Sequence, residues 1–267
     1  MKIVKLIPDI QYANVSQSQK LDLYLPDNIG DKNLPLLVFI HGGGFSKGDK
    51  AKGKINALLN FGSEDFIIAS INYRLSGEAG FPAGIDDCET ALDFLIRHFA
   101  KYNIDPTKIA IVGNSSGGNY ALMLATRLSK QPIKQKLCVV ALYPVTNLLT
   151  LSELANAENN DEDMKKYVIK NSEQYFKKEF AKITENDFKK ASPIFNITKD
   201  FPTTLLQHGD LDEQSPISQS QEFYEKALTM GIKIELDIKS GAKHNDEIFE
   251  TNDNLERVFC FIKNSLK

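Results

Sequence analysis

Short apolar runs bounded by glycine, proline and polar clusters alternate along the 267 residues with longer stretches of helical period. "LPLLVFI" (34–40), "DFIIASINY" (65–73), "KIAIVG" (108–113), "KLCVVALYP" (136–144) and "TTLLQHG" (203–209) have strand length and little charge, the pattern of strands buried on both faces. "KIELDI" (233–238) alternates and reads as a last strand. Between these runs, "GIDDCETALDFLIRHFAKY" (84–102) carries Ala91, Leu92, Leu95 and Phe99 at helical spacing, and Asp105-Pro106 opens a new element. "YALMLATRLSK" (120–130), "ISQSQEFYEKALTMG" (217–231, closed by Gly231) and "NDNLERVFCFIKNSLK" (252–267) read as further helices. Strands alternating with helices predict one α/β domain, residues 1–267, with a mostly parallel sheet of about eight strands covered on both faces. "KIVKLI" and "KLDLYL" have no helix between them, which predicts an antiparallel amino-terminal edge. Residues 147–195 are polar and mostly helical, and are expected to form a small cap inserted over the strand ends.

Composition narrows the function classes. With 42% hydrophobic and 25% charged residues and a net charge of −3, the chain is an ordinary soluble globular protein. The charges are mixed, so no basic face for nucleic acid is expected, and the cluster Lys47, Lys50, Lys52, Lys54 reads as a solvated loop. Cys88, Cys138 and Cys260 show no metal or disulfide spacing; the apolar surroundings "LCVVALY" and "VFCFI" predict reduced, buried thiols. "MKIVKLIPDIQY" is basic but lacks an apolar stretch of signal-peptide length, and no run is long enough for a bilayer. A cytoplasmic protein without membrane partners is expected. The last helix, with Val258, Phe259 and Ile262, suits either the core or a second subunit, so a homo-oligomer is compatible with the sequence.

Ligands on parallel sheets sit in the loops at the carboxyl ends of strands. Four such loops are chemically unusual: "HGGGF" (41–45), "GNSSGG" (113–118), "HGDLDEQSP" (208–216) and "GAKH" (241–244). In the second, Gly113, Ser115 and Gly117 have G-x-S-x-G spacing between a strand and a helix, the context of a serine nucleophile on a sharp turn. Ser116 cannot head the same motif, because no glycine lies two residues before it. A phosphate-binding turn is the alternative, but the segment lacks the closing Lys-Ser/Thr of a P-loop. A serine needs a base, and four histidines are available. His98 falls within a helix, while His41 and His208 precede glycines at strand ends, where an imidazole braces a turn. His244 lies on a late loop, as the order Ser…Asp…His requires. The orienting acid is Asp210, Asp212 or Glu213, with Asp237 a rival inside the last strand; position in the sequence does not separate them. The three glycines of "HGGGF" expose backbone N–H groups for an oxyanion, joined by the amide of Ser116.

These pieces together resemble the α/β-hydrolase superfamily, and within it the hormone-sensitive-lipase-like and bacterial carbohydrate-esterase-like carboxylesterases. The likeness runs through "QKLDLYLP" (19–26), "HGGGF", "NYRL" (72–75), "FPAGIDD" (81–87), "NIDPTKIAIVGNSSGGNYA" (103–121), "ASPI" (191–194), "HGDLDEQSP" and "GAKH". It implies that Asp212, ending H-G-x-x-D, is the acid, and that Gly43 and Gly44 are the oxyanion glycines. It also implies a small-molecule ester substrate and no cofactor or metal. Asn114 and Ser215 depart from the family pattern; neither is expected to touch the triad, and both bear on substrate fit. A kynurenine-formamidase-like amide hydrolase shares the H-G-G loop, but often with Trp after the glycines, where this chain has Phe45 and no Trp. A non-catalytic binding protein on the same fold typically loses a triad member. Acetylated sugars, feruloyl esters, aliphatic esters and formyl amides all suit the same residues.

Overall fold

The computed structural model describes residues 4–27, 29–30, 32–62, 64–130, 135–153, 155 and 162–267. Within them one sheet has the order β1-β2-β4-β3-β5-β6-β7-β8. Its strands are β1 (Val4–Gln11), β2 (Lys20–Pro26), β3 (Leu34–Ile40), β4 (Ile67–Ile71), β5 (Ile104–Asn114), β6 (Lys136–Leu142), β7 (Thr203–Gly209) and β8 (Ile234–Lys239). β2 runs antiparallel to both of its neighbours, and the pairs from β4 through β8 are parallel, so the expected mostly parallel sheet has its antiparallel edge.

Because side chains alternate across a strand, each apolar run supplies two cores at once. Leu36, Val38, Ile40, Ile109, Ile111, Val139 and Ala141 enter one hydrophobic cluster, and Leu37, Phe39, Ala110, Val112, Cys138 and Val140 enter the other. The helices are α1 (Ile55–Gly62), α2 (Ala83–Arg97), α3 (Ser116–Ser129), α4 (Leu148–Glu153), α5 (Glu162–Phe176), α6 (Glu185–Lys190), α7 (Pro193–Asn196), α8 (Ser218–Thr229) and α9 (Asn252–Ser265). α2, α3 and α8 cover the first cluster; α1 and α9 cover the second. The segment expected as a cap contains α4 to α7; its residues 154 and 156–161 lie outside the described residues, as do residues 1–3 at the start of the first strand. No described helix is long and apolar enough to cross a membrane.

Several expectations change. α1 was not anticipated. The helix expected over 84–102 stops at Arg97, followed by a 3-10 turn at Phe99–Tyr102 that Asn103 ends in a left-handed conformation, φ 56°. Phe99 is consequently exposed. Cys88 and Cys138 are buried, and burial pushes the Cys138 thiol up to about 12, but Cys260 is exposed on the outer side of α9. All three are free thiols. Val258, Phe259 and Ile262 are buried within the chain's own core.

The lysine cluster is not a uniformly solvated loop. Lys52 is exposed, but Lys50 and Lys54 are 7% and 4% exposed. Lys50 Nζ lies 2.9 Å from Asp22 Oδ1 and 3.1 Å from Asp9 Oδ1, clamping the β1–β2 edge to the loop after β3. Asp22 is itself buried. Removing one partner of a buried pair leaves the other charge uncompensated. Lys50→Met is therefore expected to destabilise the protein by about 3 kcal/mol, read as a lower urea midpoint at neutral pH; an unchanged midpoint would contradict this account of the pair.

Candidate active site

The chain turns tightly where β5 passes into α3. Ser115 stands between them with φ 53° and ψ −122°, a conformation that L-residues rarely adopt. Its N–H donates to Leu142 O at 2.9 Å, which ties the turn to the end of β6. The glycines on either side are a steric requirement. A Cβ on Gly117 would lie 2.2 Å from Ile40 O, and one on Gly113 would lie 2.2 Å from Gly117 O. α3 then begins at Ser116, whose N–H, in the first turn of the helix, has no intrahelical acceptor.

Two loops bring the partners. Ser115 Oγ lies 2.9 Å from His244 Nε2, and His244 Nδ1 lies 2.7 Å from Asp212 Oδ2. An ionised carboxylate only accepts hydrogen bonds, so Nδ1 carries the imidazole proton and Nε2 presents its lone pair to the serine hydroxyl. Asp212 is buried, which by itself would raise its pKa. Hydrogen bonds from His208 and His244 and from the Ser215 amide outweigh burial and hold it down at about 2. Its Oδ1 accepts from Gln214 N at 3.0 Å and Ser215 N at 2.9 Å. Ser215 therefore does touch the array, through its backbone.

The other candidates are engaged elsewhere. Asp210 Oδ1 accepts from Gly241 N at 2.6 Å, Glu213 is exposed, and Asp237 binds Gln207 Nε2 at 2.7 Å and Lys239 Nζ at 2.8 Å. His98 is exposed against Phe94. His41 is buried, stacks on Tyr73 at 4.5 Å and faces Gly42 O at 2.9 Å, bracing its turn as expected; burial lowers its pKa. His208 has a second task. Its Nε2 faces Ser215 O at 2.7 Å and lies 3.3 Å from Asp212 Oδ2, so two imidazoles flank one carboxylate.

Further contacts fix the loops. Asn114 Oδ1 accepts from Gly42 N at 3.1 Å, connecting the serine turn to the "HGGGF" loop. The loop of His244 is held by Tyr143, whose ring meets the imidazole edge-on at 4.8 Å and whose hydroxyl donates to Asn245 Oδ1 at 3.0 Å. Lys54 Nζ reaches the carbonyls of Asn245 and Asp246 at 3.4 and 3.3 Å and also pairs with Glu250. Behind the site, Arg74 of "NYRL" forms a two-pronged pair with the buried Asp87 of "FPAGIDD", at 2.8 and 2.9 Å. Sequence patterns did not expose these supports, because every partner but Asn114 and Gly42 falls outside the serine and glycine motifs.

Two hollows meet at Ser115. One is an open cleft of about 830 Å³ lined by Gly43, Lys47, Asp49, Lys52, Asn114 and Asn245. The other is a pocket of about 60 Å³ with Phe45, Val145, Leu148, Leu151, Val168 and Phe176 in its wall. Gly44, Ser115, Tyr167, Gln214 and His244 border both, and Ser116 borders the pocket. No group of three or more His, Cys, Asp or Glu residues among the described residues could hold a metal ion. The arrangement sets a serine hydroxyl against an imidazole and a carboxylate against the far side of that imidazole, with the glycine loop and the start of α3 in the walls of the hollows.

The family model BD-FAE matches residues 21–227. A carboxylesterase NlhH of Mycobacterium tuberculosis is 34% identical over 139 residues, 52% of this chain and 43% of that protein. The isoprenylcysteine alpha-carbonyl methylesterase ICME of Arabidopsis thaliana is 26% identical over 238 residues, 85% of this chain and 54% of that one. The chain thus spans about half the length of the curated relatives it matches. Among solved structures, a truncated carbohydrate esterase from gut microbiota superposes with a TM-score of 0.79 at 24% identity, covering 98% of this chain and 96% of its own. An inhibited esterase B from Lactobacillus rhamnosis gives 0.78 at 19% identity, covering 98% and 88%. These two likenesses concern the fold, an α/β-hydrolase sheet with its helices. With the model match running from β2 to α8, the chain belongs to the BD-FAE family.

Proposed function

We propose that the protein is a serine carboxylesterase that hydrolyses esters of short acyl groups. Ser115 is the nucleophile, His244 the general base and acid, and Asp212 the carboxylate that orients the imidazole. His244 Nε2 takes the Ser115 proton as Oγ attacks the ester carbonyl, and the Gly43, Gly44 and Ser116 amides receive the oxyanion. His244 then protonates the departing alcohol. Water, deprotonated by the same nitrogen, releases the acid from the acyl-enzyme. No step calls for a metal or cofactor.

The observation that carries this reading is the hydrogen-bonded series Ser115–His244–Asp212 at the junction of a small pocket and a large cleft. The pocket has room for an acetyl or similar acyl chain. The cleft is of ligand size, and its polar rim suits an alcohol as large and hydroxylated as a sugar. The relatives' names, a carboxylesterase and a methylesterase, agree with ester cleavage. The test is a panel of p-nitrophenyl esters of increasing chain length, with acetylated xylo-oligosaccharide, methyl ferulate and N-formylkynurenine. The acetyl and butyryl esters are expected to exceed the octanoyl ester in kcat/KM by at least about tenfold, since an acyl tail too long for its pocket forfeits more than 1.4 kcal/mol of binding. Best turnover of octanoyl esters would overturn the acyl-size claim. Turnover of the formyl amide alone would overturn the ester assignment.

A further inference from the structure

α5 overhangs the loop that follows β3. Tyr167 and Asn171, one helical turn apart on α5, both reach Gly44. A Cβ built on Gly44 would lie 2.9 Å from the Tyr167 hydroxyl oxygen and 3.8 Å from Asn171 Nδ2. The space beside Gly44 that a side chain would fill is thus occupied by a phenol. That phenol is 46% exposed and stands in the wall of both hollows, with Ser115, His244 and Gly44. A group bordering both compartments borders the bond that spans them. The Asn171 side-chain amide faces the same glycine from the next turn of α5, so it flanks the phenol. A phenol hydroxyl has one proton to donate, and it stands here beside the hollows that meet at Ser115.

We propose that the Tyr167 hydroxyl donates to the oxyanion of the tetrahedral intermediate, adding a side-chain donor on α5 to the backbone amides of Gly43, Gly44 and Ser116, with Asn171 as its positioning residue. The inference rests on the assignment of Ser115 as an esterase nucleophile. An O–H···O⁻ bond strengthens as charge gathers on the carbonyl oxygen, so it favours the transition state over bound substrate. One oxyanion donor is worth about 10²–10³ in rate where few are present. Beside three amides, a factor at or below the lower end of that range is expected.

Tyr167→Phe should therefore lower kcat on p-nitrophenyl acetate by about 10- to 100-fold with KM changed less than about twofold. Asn171→Ala should lower kcat in the same direction by a smaller factor. Only a hydroxyl is removed from a half-exposed ring, so Tm should match that of the parent protein. The second readout is inhibition by phenylboronic acid, whose serine adduct mimics the tetrahedral oxyanion. Its Ki should rise across the two variants in proportion to the loss in kcat/KM. An unchanged kcat in Tyr167→Phe overturns the donor role and leaves the esterase reading standing. A fall in kcat with an unchanged boronate Ki also overturns it, because the residue would then act only on structure. If the folded parent protein does not hydrolyse p-nitrophenyl acetate or any other ester, the esterase reading fails first and takes this inference with it.

Discussion

Ser115→Ala is expected to reduce ester hydrolysis by about 10⁵–10⁶-fold, to no more than the residual rate that oxyanion donors and binding sustain without a nucleophile. The loss should be in kcat, because the serine hydroxyl contributes bond formation rather than affinity, and labelling by a fluorophosphonate probe should vanish with it. The backbone offers an internal control. Ser115 is held at φ 53° and ψ −122°, where an L side chain stores about 1–3 kcal/mol of strain. Alanine keeps that strain and glycine relieves it. Ser115→Gly should be as inactive as Ser115→Ala but more resistant to urea, separating the loss of chemistry from any loss of fold. Substantial turnover by either variant would remove Ser115 from the mechanism.

The same mechanism fixes the direction of the pH response. Asp212 is held down at about 2, so it remains a carboxylate throughout mild acid. Its contribution to folding is complete above the unfolded value near 3.9 and disappears as the pH falls through about 2. The acid limb of kcat/KM is then expected to report the general base of the reaction and not this carboxylate. Activity should fall with a single-proton slope well before the protein unfolds in acid.

Gly117→Ala carries the second large effect, and here it is structural. The added methyl would lie 2.2 Å from Ile40 O and 2.5 Å from His41 O, both backbone atoms at the end of β3. Neither atom belongs to a flexible side chain, so α3 has to retreat from the sheet or β3 has to shift. Either movement separates the Ser115 turn from the "HGGGF" loop. A loss of more than about 3 kcal/mol is expected, with activity lost even where the variant remains folded. Gly53→Ala is the comparison: its φ is +73°, but nothing lies within 4 Å of the added carbon. Only the left-handed backbone cost of about 1–2 kcal/mol applies there. Equal urea midpoints for the two variants would show that crowding at Gly117 is not decisive.

Much of this molecule was legible in the chain because its strands are short, apolar and cleanly bounded. Strands alternating with helices predicted the parallel sheet, and the serine turn leaves a local signature because Gly113 and Gly117, two residues to either side, have no room for a Cβ. Other features are tertiary and leave no such trace. "INALLNFG" becomes α1 by packing on α9, where Phe61 stacks on Phe259 at 5.4 Å. Lys50 and Lys54 look solvent-exposed by type, yet find Asp9, Asp22 and Glu250 from distant segments. Cys260 lies among apolar residues in sequence, but a helix turns its neighbours Phe259 and Phe261 inward and leaves the sulfur outside. Three acids within four residues were indistinguishable by position; the resemblance pointed to Asp212, and the fold brings its carboxylate 2.7 Å from His244 Nδ1. Tyr167 belongs to an unremarkable amphipathic helix, and its approach to Gly44 depends on how α5 lies over the sheet.

The loop that carries His244 joins β8 to α9, and β8 is bonded along one side only, to β7. His244 therefore sits at the edge of the sheet, while Ser115 stands at its middle. β8 is held by one neighbouring strand where the central strands are held by two, so heating is expected to displace the His244 loop before the central strands part. Reinforcing the centre of the sheet is then expected to do little to postpone thermal inactivation.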